Sequence, residues 1–129
     1  MMHVKIYGLK ESIGPRKKAI SSTIHLALME AMDIPEEQCF QRFIFFEKDC
    51  FIYPAYKSSN YTIIEIQTFT GRSDEAKKKV IQTLYRRFSE DRELEEKDIH
   101  IIIMDMPAIN WGISGRQGNE LLIDSKVHI

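Results

Sequence analysis

One pattern occurs twice in this chain, and that duplication constrains the fold more than any single motif. The first copy opens with Val4 and Ile6, continues through a helix-like segment from Pro15-Arg16-Lys17-Lys18, and closes with the strand-like run Phe40–Phe46. The second copy opens with Tyr61–Phe69, continues through a helix-like segment around Lys77-Lys78-Lys79, and closes with Ile99–Met104. Arg16-Lys17-Lys18-Ala19-Ile20 matches Lys77-Lys78-Lys79-Val80-Ile81 in position and character, and Ile34-Pro35-Glu36-Glu37 falls where Leu94-Glu95-Glu96 does. Each copy reads strand, helix, strand. A crossover helix joins two parallel strands by a right-handed connection. Two such units, residues 1–47 and 61–106, predict an α/β (α+β) fold with a four-stranded sheet and two helices on one face. The opposite face then needs a cover, which a chain of this size obtains by self-association.

The helices carry the clearest periodicity. Ala19/Ile20, Thr23/Ile24, Ala27/Leu28 and Ala31/Met32 recur every four residues and form one apolar stripe. Pro15 suits the first helical turn, where a missing N–H costs nothing. Asp33-Ile34-Pro35 stops the helix, because a residue before proline avoids helical geometry. In the second copy Ser73 is a good N-cap, and Asp74 and Glu75 complement the helix dipole. Ala76, Val80, Ile81, Leu84, Tyr85 and Phe88 form its stripe, while Lys77–Lys79 and Arg86-Arg87 lie mostly off it, as a solvated face would. The runs Phe40–Phe46 and Ile99–Met104 are apolar at both parities, the pattern of strands covered on both faces. Between the copies, Glu47–Asn60 holds Phe51, Tyr53, Pro54 and Tyr56. It is too aromatic for a flexible linker and reads as an ordered excursion, with room for a short hairpin, packed on the sheet or on a neighbour.

A length of 129 residues fits a single domain spanning 1–129. A formal charge of −1 points to neither nucleic acid nor an anionic membrane as partner. The N-terminus lacks a signal peptide pattern, since Lys5, Lys10 and Glu11 interrupt it, and the cytoplasm follows as the expected compartment. Cys39 and Cys50, set in aromatic sequence, read as reduced and buried core thiols. The histidines His3, His25, His100 and His128 have no zinc spacing, so neither a metal nor another cofactor is expected. The glycine-rich stretch Gly112–Gly118 lacks the lysine of a phosphate-binding loop and reads as a tight turn or hairpin. Arg116 there is expected near a neighbouring subunit's site.

Taken together, the two fused units, the Gly71-Arg72-Ser73-Asp74-Glu75 junction and Pro107-Ala108-Ile109-Asn110-Trp111-Gly112 resemble the tautomerase superfamily, whose fold is that of macrophage migration inhibitory factor. The pattern is similar to its duplicated, malonate semialdehyde decarboxylase-like branch. The resemblance implies a homotrimer with each active site near a subunit boundary, acting on a small carboxylated keto–enol compound. It also implies catalysis by an N-terminal proline, and here the chain departs from the family: Met2 stands where that proline should be. Retention of Met1 would leave its primary α-amine as the candidate base, since such amines titrate near ~7.7–8.0.

The remaining site positions are partly kept. The branch's polarising aspartate falls at Gln38, which can hydrogen-bond but not act as a base. Of its two arginines before the second helix, one matches Arg72 and the other falls at Thr70. Arg72 can bind a carboxylate through its guanidinium fork, or instead pair with Asp74 or Glu75. Arg42 interrupts an apolar strand and must be paired or face a cavity. Trp111 lines a pocket or anchors an interface. Two readings therefore stand side by side: a tautomerase-like enzyme with Met1 and Arg72 as catalytic groups and Arg42, Gln38 and Trp111 as substrate-binding ones, or a non-catalytic trimeric protein that binds small anions.

Overall fold

The computed structural model describes residues 1–121. Strand β1 (Met2–Leu9) leads through a short helix α1 (Lys10–Ile13) and a 3-10 turn (Gly14–Arg16) into helix α2 (Lys17–Met32). Strand β2 (Gln41–Phe46) completes the first unit. Strand β3 (Thr62–Phe69), helix α3 (Asp74–Asp91) and strand β4 (Ile99–Met106) form the second. A hairpin of β5 (Gly112–Ile113) and β6 (Arg116–Gln117) and the short helix α4 (Gly118–Leu121) follow. Ser114 and Gly115 both have positive φ, 51° and 85°, which is the requirement of a tight two-residue hairpin turn.

The sheet order is β2-β1-β3-β4. β1 and β2 run parallel, as do β3 and β4, while the two central strands are antiparallel. The offset between parallel partners is the same in both halves, Val4 opposite Gln41 and Thr62 opposite Ile99. Both long helices end in a left-handed residue, Asp33 and Arg92. Ile34 and Leu94 then bury themselves as repeat mates should. The duplication also extends further than its hydrophobic pattern. Each second strand runs into a 3-10 turn, Lys48–Cys50 or Ala108–Asn110, and each turn delivers one large ring, Phe51 or Trp111.

Side chains alternate across a strand, and burial follows that alternation. Val4, Ile6, Ile64, Ile66 and Ile99 are at most 1% exposed and meet Ile20, Ile24, Ala27, Val80, Leu84 and Phe88 of the helices. Ser73 caps α3 by accepting the Ala76 N–H at 3.1 Å, and Glu30 of α2 pairs with Arg86 and Arg87 of α3. Phe88 is fully buried in this layer. Phe88→Ala should cost about 3–5 kcal/mol through lost burial and the cavity left behind, read as a lower midpoint in urea unfolding.

The other parity forms an open face. His3, Lys5, Tyr7, Arg42, Ile44, Ile63, Glu65, His100, Ile102 and Met104 share it by register, and Ile102 and Met104 are 45% and 39% exposed. The apolar runs therefore cover only their helix side within one chain. Two further expectations need correction. Cys39 and Cys50 are exposed rather than core thiols, because one lies in the turn before β2 and the other ends a 3-10 turn. The excursion Glu47–Asn60 contains that turn and not a hairpin. Two of its rings pack against this chain's own sheet, Phe51 stacking on Phe46 and Tyr61 and Tyr53 leaning on both Phe51 and Tyr61, while Tyr56 is 75% exposed. Among the described residues no helix is long and apolar enough to cross a membrane.

Candidate functional site

The candidate residues gather at the end of the sheet where β1 begins and β3 and β4 finish. Met2, Thr68 and Asp105 form one row across those strands, on the helix side of the sheet. Arg72, just beyond β3, donates its Nε–H to Thr68 Oγ1 at 3.2 Å. Lys77, in the first turn of α3, reaches Asp105 Oδ2 at 2.5 Å. The other oxygen of Asp105 is buried and has no hydrogen-bond donor among the described residues. Arg72 therefore does not pair with Asp74 or Glu75. Its anchor is a threonine, and the negative charge that acts on it is Asp105.

The Met1 α-amine lies at this end of the sheet. Burial, and after it the positive field of Arg72, push the amine below its ordinary value. Both effects disfavour the ammonium form. Burial likewise lowers Arg72, and Asp105 opposes that shift.

The open side of the same end is aromatic. His3 stacks flat on Phe40 at 4.8 Å between centroids, and Trp111 meets His3 and Phe69 edge-on at 5.6 and 5.1 Å. Trp111 is held by a close approach. The Gly118 N–H donates to its carbonyl at 2.8 Å, and a Cβ on Gly118 would come within 2.4 Å of the Ala108 oxygen. His3, Cys39, Phe40, Gln41 and Arg42 line a shallow hollow of about 260 Å³ here. The His3 imidazole is lowered first by burial, then by Arg42 and by the terminal amine. A much larger hollow, about 860 Å³, lies beside α3 against Tyr85, Arg86, Glu90 and Lys97. It is a groove on the outer helix surface, away from every group that responds to the amine.

Met1, Arg72, Trp111 and Arg42 thus converge on one end of the sheet, with Arg72 on the helix side and Arg42, exposed, on the open side. Gln38 does not join them through any contact the structure gives. It sits in the turn after α2, where its backbone N–H donates to the Pro35 carbonyl at 3.0 Å. Sequence reasoning missed His3, Lys77 and Asp105. His3 had a legible signal, since it is two residues from the terminus at the parity opposite Val4 and Ile6. Among the described residues no group of three or more His, Cys, Asp or Glu side chains is arranged to hold a metal ion.

Comparison with known proteins agrees with this architecture. A family model described as tautomerase enzyme matches residues 38–114. A 2-hydroxymuconate tautomerase of Comamonas testosteroni is 37% identical over 57 residues, 44% of this chain and 90% of that one. Nine-tenths of that relative fits into less than half of this chain, as one copy of the repeat would. Among solved structures, a malonate semialdehyde decarboxylase superposes with a TM-score of 0.80 at 16% identity, covering 97% of this chain and 99% of that chain. A second, the FG41 malonate semialdehyde decarboxylase inhibited by 3-bromopropiolate, gives 0.74 at 20% identity over 98% of each chain. A fused 4-OT asymmetric trimer gives 0.79 at 16% identity, covering 92% of this chain and 98% of that chain.

Proposed function

The chain belongs to the tautomerase enzyme family, and from that premise we propose that it transfers a proton within a small carboxylated keto–enol compound, with the Met1 α-amine as base. The observation that carries this reading is the depressed amine beside Arg72. A base works best when its pKa lies near the operating pH, and lowering a primary amine from near ~8 moves it that way. In the reaction the neutral amine takes the enol hydroxyl proton and the resulting ammonium returns a proton to carbon, so no other reactant is consumed. Arg72 supplies a carboxylate anchor on one side of the amine. Arg42 supplies a second on the other, with Trp111 and Phe40 as apolar walls. An unsaturated dicarboxylate enol offers one carboxylate to each cation, and one relative acts on 2-hydroxymuconate by its name.

Assembly belongs to the same proposal. The open face, which carries Ile44, Ile63, Ile102 and Met104 among polar neighbours, is the natural contact between copies, and a neighbour of the same fold is a trimer. A homotrimer would also carry the Trp111 and Arg116 segments toward adjacent chains. A second reading, a binding protein without catalysis, draws support from Met2, whose side chain is 6% exposed and belongs to the core rather than to the site.

Ketonisation of 2-hydroxymuconate, followed by its ultraviolet absorbance, tests the proposal. Activity should rise with pH through the lowered amine pKa. Arg72→Ala removes the positive field that favours the neutral amine, so its rising limb should move to higher pH. The shift should be partial, because burial is the larger cause and remains. An active protein whose pH limb ignores Arg72 would exclude the Met1 amine as the base, and a protein with no turnover that still binds the dicarboxylate would select the second reading.

A further inference from the structure

We propose that Asp105 is a positioning residue that holds the Arg72 guanidinium in place for an anionic ligand. This rests on the reading of Arg72 as a carboxylate anchor.

Three observations lead to it. Asp105 and Thr68 are direct partners across β4 and β3, on strands about 4.8 Å apart, and Thr68 receives the Arg72 Nε–H. The guanidinium is therefore tethered one strand away from the carboxylate. Asp105 is oriented from its outer side by Lys77, which takes Oδ2. That leaves Oδ1 buried and without a donor among the described residues. A buried carboxylate oxygen left unmatched is costly, and an unmatched group in a native fold calls for a partner. Beside Lys77, Arg72 is the second cation that feels Asp105. Its terminal nitrogens make no hydrogen bond among the described residues, since only Nε is engaged.

The geometry thus gives the guanidinium two edges with different tasks. Closing one terminal N–H onto Asp105 Oδ1 would fix the plane and leave the opposite edge for the ligand's carboxylate. Fixing the plane matters because bidentate carboxylate recognition depends on orientation as well as charge. Lys77 serves by holding Oδ2, so its role is one step further removed.

Two readouts test this in the full-length protein. The first is the Arg72 Nε–H resonance in arginine-labelled protein by NMR, which needs no ligand. The second is affinity for muconate, an unsaturated dicarboxylate without the enol hydroxyl, by calorimetry. Asp105→Asn should move or broaden the Arg72 resonance and weaken muconate binding about tenfold, the size of a coupled pair. Asp105→Glu should recover most of both, and Lys77→Met, which loosens the carboxylate but keeps it, should disturb the resonance less than Asp105→Asn does. In an Arg72→Ala background Asp105→Asn should no longer affect affinity. An unchanged resonance in a folded Asp105→Asn protein overturns the proposal, as does an equal loss of affinity with Arg72 absent. If the natural protein binds no muconate yet its Arg72 resonance responds to Asp105, the positioning role stands and the carboxylate reading falls.

Discussion

Ile102→Asp should yield a folded protein that no longer assembles. Ile102 lies on the open face at 45% exposure, so within one chain an aspartate there remains in contact with water. Between copies the same carboxylate would be buried without a partner, at an effective cost of several kcal/mol per ion, repeated at each contact. Its neighbour makes the control. Ile103 points to the helix side and packs against the buried core, so Ile103→Asp puts the charge under α3 and should unfold the chain itself. The two substitutions differ by one residue and by the face of the sheet. Sedimentation at micromolar concentration with circular dichroism separates them: Ile102→Asp should keep native secondary structure at monomer mass, while Ile103→Asp should lose both structure and assembly. A natural protein that sediments as a monomer, or an Ile102→Asp protein of unchanged mass, would remove the open face as the interface.

The second large effect concerns the base. A chain that begins at position 2 with Met2→Pro presents a secondary amine at the first residue of β1, in the row with Thr68 and Asp105. Arg72, tied to Thr68, would act on that amine directly. Placing a well-positioned general base contributes about 10²–10⁴-fold, so ketonisation of 2-hydroxymuconate should rise by at least about 100-fold if the Met1 amine is a poor substitute. Loss of the Met2 side chain from the core should lower stability modestly and leave the fold intact. Intact mass must show the free proline. A protein with that terminus, correctly folded and no faster than the natural chain, would mean that Met1 already performs the task or that the surrounding pocket has turned to another use. Measured muconate affinity distinguishes those two outcomes.

Much of the architecture was legible because it is periodic. Four-residue recurrence from Ala19 to Met32 and the stripe from Ala76 to Phe88 define helices that bury one side. The repeated order of strand, helix and strand allows few ways to join them. The Ser73 cap and the stop at Asp33 are local chemistry and needed no tertiary information. The 3-10 turns that present Phe51 and Trp111 escaped notice because three residues carry no period and the two sequences there have diverged. The cysteines misled for a related reason: aromatic neighbours resemble a core in one dimension, yet both thiols sit where the chain turns toward solvent.

At the site, the order of amino acids settles which chemical groups the chain owns: an arginine before a capped helix, a tryptophan after the last strand, and methionine in place of a proline. Which of them meet depends on how the strands pair and where the side chains turn. Arg42 faces the open side because strand parity, fixed by the register of β1 with β2, decides direction residue by residue, while Arg72, beyond the end of β3, is turned to the helix side by its hydrogen bond to Thr68. Gln38 stays in its turn. Asp105 enters because β4 continues two residues beyond its apolar run and pairs Asp105 with Thr68. Proximity between residues far apart in the chain depends on pairing register and side-chain direction together, and neither is written in the identity of any one residue.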